Sequence, residues 1–391
     1  MDLLNTTQTD QNHSSGRRIR MRLVPVSLLK DGMKIGKKIY SIDGLTLLAE
    51  GVELTSDLIR RLKQIDIGYV YIQDKRTEDI TIPEVLHEET HRKAMQVIRT
   101  NFQKISQSTN PIRSIAGYSH LGRDFSAVME SILDDLSEQE LPMIMLMDMN
   151  KIDHFLYKHS LNVCVYTLIL GAASGMTRDQ LKVLGVGSLL HDIGKTQIPV
   201  KILMKPGKLD DEEYNLMKSH TEIGYKILKE ESDIPLLAAH CALQHHERLN
   251  GTGYPRGLKG TEIHQFAQIL GLADSFDAMT SHRVYKPAML PHQAMDVLYA
   301  GSGVLFDQQK LEVFRDNVAI YPQGMSVRLS TGEAGVVCKV DSSMPHRPVV
   351  RILTSESGEE LKSPYDIDLT RVLSTVVTHV EGMESLNLIV G

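Results

Sequence analysis

The sequence predicts a mainly α protein: an all-helical central domain flanked by a small N-terminal α+β unit and a small C-terminal β unit. Three observations predict it. Between about residues 146 and 318 apolar residues recur at helical spacing, and helix-start signals follow one another in series. Before that region, strand-like runs flank the turn Asp43-Gly44. After Ile320, alternating Val-rich runs take over.

Residues 1–20 are polar and read as a disordered tail, without the apolar core of a signal peptide. Residues 21–75 form the α+β module, with a helix from about Ser56 to Ile65 and a strand at Tyr69–Ile72. Residues 76–145 are charged and read as a helical connector interrupted by Pro111 and Gly117. Residues 146–318 form the helical domain, with about seven or eight helices by its periodicity. Its most apolar stretch, Leu161–Met176, carries Asn162 and Thr167 and follows Lys158 and His159, so it reads as a buried helix and not a membrane span. Thr177 with Gln180 makes a capping box. Asp210 with Glu213 resembles one and opens a helix over Asp211–Leu228, while Pro291 suits the first turn of another. Residues 319–378 form the β unit, with strands at Met325–Leu329, Val336–Val340 and Val349–Leu353 and turns at Thr331-Gly332 and Ser357-Gly358. Residues 379–391 are a tail.

Composition narrows the function classes. A chain of 391 residues suggests two to three domains. With 42% hydrophobic and 24% charged residues it forms an ordinary core without needing disulfides. A net charge of −6 makes a nucleic-acid polymer a poor partner. The cluster Arg17, Arg18, Arg20 and Arg22 reads as a solvated tail before it reads as a docking patch. Cys164, Cys241 and Cys338 are scattered, odd in number and form no CxxC, which fits a reducing, cytoplasmic setting.

The chemistry lies in histidine. The chain has 16, and most fall between His154 and His292. Pairing is more telling than number. His191 and Asp192 adjoin at the end of the apolar run LKVLGVGSLL, and His245 and His246 adjoin before a Gly-rich loop. Neighbours on a helix point about 100° apart, so adjacent ligands work best at a helix end facing a site shared by two ions. His159, His220 and Asp274 sit on other predicted helices. A lone histidine such as His240 or His264 is most simply a hydrogen-bonded core residue. The set His159, His191, Asp192, His220, His245, His246 and Asp274 is not: without a cation, its burial would strand polar and charged groups at several kcal/mol. Imidazole and carboxylate without thiolate suit iron, manganese, zinc, cobalt or nickel and argue against a structural zinc. Asp192 is the natural bridge. Two ions about 3.5–4 Å apart activate a water and clamp an in-line phosphoryl displacement, so chemistry on phosphate esters is expected.

These motifs resemble a known family. HDIGK (His191–Lys195) resembles the signature of the HD phosphohydrolase superfamily, and HHERLNGTGYP (His245–Pro255) that of its HD-GYP subgroup. The tracts Ile198–Gly224 and Leu272–Lys286 are similar to the family too, so the likeness covers roughly residues 148–318. It implies hydrolysis of cyclic di-GMP to the linear dinucleotide pGpG, and possible further cleavage to GMP, by a hydroxide bridging two divalent transition-metal ions. Iron or manganese come first, with zinc, cobalt or nickel as alternatives. It implies one ion on His159, His191, Asp192 and Asp274 and another on Asp192, His220, His245 and His246. It places Lys195 at the scissile phosphate or the hydroxide, Arg283 and Lys286 on the substrate's phosphates, and Tyr254 in the loop that names the subgroup.

Physical reasoning meets each role separately. Lys195 follows Gly194 at a helix end and can swing inward as a point charge, or remain a surface lysine. Arg283 and Lys286, three apart, can share one phosphate on a helix, or both be solvated. Gly251 and Gly253 permit positive φ and Pro255 stiffens the loop, which can equally be a plain turn. Asp277 can orient a ligand imidazole or cap a helix. Some family members carry a Glu four residues before the first ligand histidine and hold a third ion with it; here Phe155 takes that position, so two ions are expected. Residues 21–75 and 320–375 resemble, more weakly, modules that flank such domains, and read as packing or dimerisation units. The N-terminal part is not a receiver domain, because no acidic pair with a phosphorylatable Asp and distant Lys appears. Two rival functions remain: a hydrolase of another cyclic dinucleotide or phosphate ester, and an inactive cyclic-dinucleotide receptor. A homodimer and signalling partners are left open.

Overall fold

The structure, a computed structural model, describes residues 21–40, 46–65, 67–80, 85–107, 121–138, 155–281, 289–318, 320–341 and 343–381. Strand β1 (Met21–Pro25) pairs antiparallel with β5 (Tyr69–Gln73), which also takes β2 (Lys34–Ile35). Strands β3 (Ile39–Tyr40) and β4 (Thr46–Leu48) make a separate pair, and the expected turn Asp43-Gly44 lies outside the described residues. Helix α1 (Ser56–Gln64) starts where Thr55 accepts a bond from the Leu58 amide (3.3 Å), and it buries Ile59 and Leu62 on a core with Val24, Ile35, Leu54 and Val70. The connector supplies α2 (Glu88–Ser106) and α3 (Leu121–Ser137), which pack together; Pro111 and Gly117 are outside the described residues.

The centre is helical. Helix α4 (Phe155–Ala173) is apolar on every side because two cores meet on it. Val163, Tyr166 and Leu170 face one, and Leu161, Cys164, Val165, Leu168 and Ile169 face the other. Helix α5 (Arg178–Leu190) begins in the predicted capping box: the Gln180 amide donates to Thr177 Oγ1 (3.3 Å) and the Thr177 amide to Gln180 Oε1 (2.9 Å). A 3-10 turn (Ile193–Gln197) and the short α6 (Val200–Leu203) follow.

The helix expected over Asp211–Leu228 is two helices, α7 (Asp211–Lys218) and α8 (His220–Lys229). The apolar periodicity runs on through the break, but Ser219 turns its hydroxyl back to the Leu216 carbonyl (2.6 Å) and ends the first helix. The break sends His220 inward: it is buried, whereas α7 buries none of its residues. Then come α9 (Leu236–Gln244), α10 (Gln265–Thr280), α11 (Pro291–Ala300), with Pro291 in its first turn, and α12 (Gln308–Asn317).

The C-terminal sheet has the order β10-β6-β7-β8-β9, with β6 Ser326–Leu329, β7 Ala334–Lys339, β8 Val349–Thr354, β9 Glu360–Asp368 and β10 Val377–Val380. Gly332 and Gly358 take positive φ (87° and 83°) in the predicted turns. Strand β9 was not among the expected strands. It is an edge strand, mostly polar, and tolerates Pro364 there. This sheet touches the N-terminal unit: the Leu23 amide donates to the Gly324 carbonyl (2.8 Å) and Ser326 Oγ to the Leu23 carbonyl (2.8 Å). Arg351 joins Asp366 (2.8 Å) to Asp79 (2.8 Å) across the same seam. Among the described residues, no helix is long and apolar enough to cross a membrane.

Candidate metal centre

Five elements bring the histidines and aspartates together. Helix α4 supplies His159; the end of α5 supplies His191 and Asp192; α8 supplies His220; the turn after α9 supplies His245 and His246; α10 supplies Asp274. Close backbone approach makes this possible at Gly194, where a Cβ would lie 1.9 Å from the His220 carbonyl oxygen.

Two groups of donor atoms result, each within 4.8 Å of one another: His159, His191 and Asp192, and Asp192, His220, His245 and His246. Asp192 belongs to both. Its Oδ2 lies 3.6 Å from His159 Nε2 and 3.5 Å from His191 Nε2, and its Oδ1 lies 3.4 Å from His220 Nε2 and 3.8 Å from His245 Nε2. Asp274 reaches His159 Nε2 (3.0 Å) with one oxygen and His246 Nδ1 (3.7 Å) with the other.

The ring orientations are fixed from behind. In four of the five histidines the other ring nitrogen, Nδ1, faces an acceptor: Asp277 Oδ2 for His159 (2.7 Å), and the carbonyls of Ser188 for His191 (2.7 Å), Met217 for His220 (2.7 Å) and Ala242 for His245 (2.9 Å). With Nδ1 donating, the lone pairs sit on Nε2 and aim at the site. Asp277 is itself held by Asn162 Nδ2 (3.1 Å).

The donor set fits a cation. His191 Nε2 and Asp192 Oδ1 are buried without a hydrogen bond. His220 Nε2 and His245 Nε2 stand 3.4 Å apart, and both Nδ1 atoms face carbonyls. Two facing lone pairs repel unless positive charge lies between them. Charges already present favour the ligating form at four of the five histidines, while His159 would have to give up a proton to a metal. Burial lowers the pKa of His191, of His245 and of His246, and with Lys195 brings His220 down to about 4, which favours the neutral, ligating form. Burial opposes ionisation of Asp192, but nearby positive charge, the Lys195 ammonium first, outweighs it and holds the carboxyl well below its usual range. Burial likewise opposes protonation of His159, but Asp274 and Asp277 prevail and raise it to about 9.

Lys195 sits at the rim, its Nζ 2.5 Å from Asp192 Oδ2 and its side chain 17% exposed. The Tyr254 ring lies over that of His246, with centroids 4.7 Å apart and planes at 31°. Arg283 and Lys286 lie outside the described residues, as do Asp153 and His154; Phe155 begins α4. His264 caps α10, accepting from the Phe266 amide (3.1 Å), and His240 rests against Tyr225.

Sequence reasoning missed the two residues that shape the loop after His246. Buried Glu247 accepts from the amides of Arg256 (2.7 Å) and Leu258 (3.0 Å). Arg248 donates to the His245 carbonyl (3.0 Å) and to Ser275 Oγ (3.1 Å), tying the His245–His246 turn to the residue after Asp274. Their adjacency to the histidine pair was the available signal. Gly251 has the expected positive φ (81°), but Gly253 does not: a Cβ there would meet the His246 carbonyl at 2.5 Å, so close approach explains that glycine.

Fold and site together define an HD-type helical domain built round a buried His/Asp cluster. Residues 144–309 match the family model described as HD domain, and residues 326–387 the one described as KOW domain associated with HD domain. The chain thus carries an HD domain followed by the KOW domain that accompanies it. It is 32% identical over 254 residues to a cyclic di-GMP phosphodiesterase of Pseudomonas aeruginosa, covering 64% of this chain and 61% of that one. It is 49% identical over 126 residues to a cyclic di-GMP phosphodiesterase of Thermotoga maritima, covering 32% of this chain and 34% of that one. It is 29% identical over 268 residues to a 3'3'-cGAMP-specific phosphodiesterase of Vibrio cholerae, covering 68% of this chain and 50% of that one. The chain thus spans between a third and three fifths of the length of these relatives.

Proposed function

We propose that this chain is a metal-dependent phosphodiesterase that opens cyclic di-GMP to the linear dinucleotide pGpG. The observation that carries the reading is Asp192, which directs one carboxylate oxygen to each of two groups of imidazoles. His159, His191, Asp192 and Asp274 would hold one divalent transition-metal ion, and Asp192, His220, His245 and His246 a second. Such ions, for which imidazole and carboxylate donors suit iron, manganese, zinc, cobalt or nickel, would supply Lewis acidity toward a phosphodiester and activate water for attack.

The chain's own residues do the rest. Asp277 and the backbone acceptors orient the imidazoles. The Lys195 ammonium, partly exposed beside Asp192, stabilises negative charge gathering on the phosphate. Arg283 and Lys286 are proposed to grip the phosphates, as the motif resemblance implies. Tyr254 walls the site beside His246 and limits access of bulk water. The free, buried Cys164 and Cys241 fit a reducing cytoplasmic setting.

The test is direct. Anaerobically purified, metal-loaded protein should convert cyclic di-GMP to pGpG, resolved by chromatography, and Asp192→Ala should reduce turnover below detection. Loaded protein that binds the dinucleotide and leaves it intact would instead identify a receptor. The likeness to the 3'3'-cGAMP-specific relative favours a second substrate reading, another 3',3'-linked cyclic dinucleotide. Comparison of kcat/KM across such substrates decides between them.

A further inference from the structure

Helix α7 is an anomaly in a well-packed domain. It buries none of its residues, yet it is held at both ends. At its start the Glu213 amide donates to Asp210 Oδ1 (2.9 Å) and the Asp210 amide to Glu213 Oε2 (3.0 Å), while Lys205 pairs with the same Glu213 carboxylate. At its end Ser219 closes the turn into His220. A helix that contributes nothing to the core and is still fixed in place presents something. What α7 presents toward the site is Tyr214.

The Tyr214 ring stands edge-on to Tyr254, with centroids 6.5 Å apart and planes at 76°. Tyr254 in turn lies over His246. The rings therefore step outward from a candidate metal ligand to the surface, where Tyr214 is 48% exposed. One turn along, the Lys218 ammonium sits 4.9 Å from the Tyr214 centroid and steadies the ring. The Tyr214 ring keeps about half its surface open, beside the candidate ligand His246 and its covering Tyr254.

We infer that Tyr214 is a stacking platform for one nucleobase of the substrate, a residue that sets affinity for nucleotide diesters. The inference rests on the phosphodiesterase reading above. With a phosphate of a cyclic dinucleotide at the His/Asp cluster, its bases project outward by one nucleoside. A half-open aromatic ring with cationic company is the surface a flat purine takes. Stacking is tolerant of base identity, so guanine and adenine should use the platform alike.

The experiment exploits a gap in the composition: the chain contains no tryptophan. Tyr214→Trp in the metal-loaded full chain places a single tryptophan at the mouth, excited at the red edge where tyrosine does not absorb. Titration with a non-hydrolysable phosphorothioate analogue of cyclic di-GMP should quench its emission saturably. Tyr365→Trp, on the exposed β9 edge far along the chain, should show no change. In parallel, Tyr214→Ala should raise KM about tenfold with kcat within about twofold of wild type, and Tyr214→Phe should match wild type. Unquenched Tyr214→Trp emission at saturating analogue, or an unaltered KM in Tyr214→Ala, would overturn the platform. Quenching reads binding alone, so it decides the matter even if the wild-type chain cleaves nothing; that failure would sink the phosphodiesterase reading instead.

Discussion

At the scale of single residues, the site is defined as much by what stands behind the histidines as by the histidines. Of the four histidines that aim Nε2 at the site, His159 alone turns Nδ1 to a carboxylate and not a carbonyl, Asp277 at 2.7 Å. Removing that acceptor frees the ring to rotate and lowers its basicity. Asp277→Ala should weaken metal binding roughly 10–100-fold, read by equilibrium dialysis with manganese, while circular dichroism stays unchanged. Asp277→Asn keeps an oxygen for the Nδ1 proton and should lose much less. Equal losses in both variants would refute the orienting role. The ligands were legible because the chain writes them as adjacent pairs and short motifs. The clamps of Glu247 and Arg248 were not, because their partners lie across a loop or on another helix, at separations no periodicity records.

Helices and strands tell a different story. The capping box at Thr177 and the cap at Asp210 were readable because they are local, three residues apart. Thr177→Ala should cost about 1 kcal/mol in urea denaturation. The break at Ser219 was not readable, since a side-chain bond to a carbonyl leaves the apolar pattern intact. Strand β9 escaped notice because an edge strand with two polar faces has no alternation to show. The turn after α8 holds a further consequence. Glu231 is buried with one carboxylate oxygen lacking a hydrogen bond, and burial together with Asp233 pushes its pKa up to about 7. In the unfolded chain the carboxyl ionises from about 4.5, while the folded chain keeps its proton. Raising the pH between these values therefore favours unfolding, and stability should fall across that window and level off above it. Glu231→Gln should flatten this profile and gain on the order of 1–3 kcal/mol at pH 8, read from urea midpoints at pH 5 and pH 8. A wild-type profile flat from pH 5 to 8 would contradict it.

At the scale of the molecule, the N-terminal unit and the C-terminal sheet share a seam. Arg351 spans it, bonded to Asp366 on its own sheet and to Asp79 from the other side. Arg351→Ala should lower the melting temperature by a few degrees, consistent with roughly 1 kcal/mol for a partly exposed ion-pair network. It should leave metal content unaltered, because none of the candidate ligands touches the seam. The sequence gives no hint of this contact: each module is recognisable by its own pattern, but their meeting joins residues far apart in the chain.

That separation also sets a schedule. Ser326 bonds Leu23 across 303 residues. At about 5–20 residues per second, β1 leaves the ribosome roughly 15–60 s before the strand it must meet. During that interval the helical domain can assemble around α4 alone, and the N-terminal unit waits with the Leu23 carbonyl and amide open to water. The Leu23–Ser326 contact therefore cannot form until most of the chain has been made, and until then β1 is held from one side only, by β5.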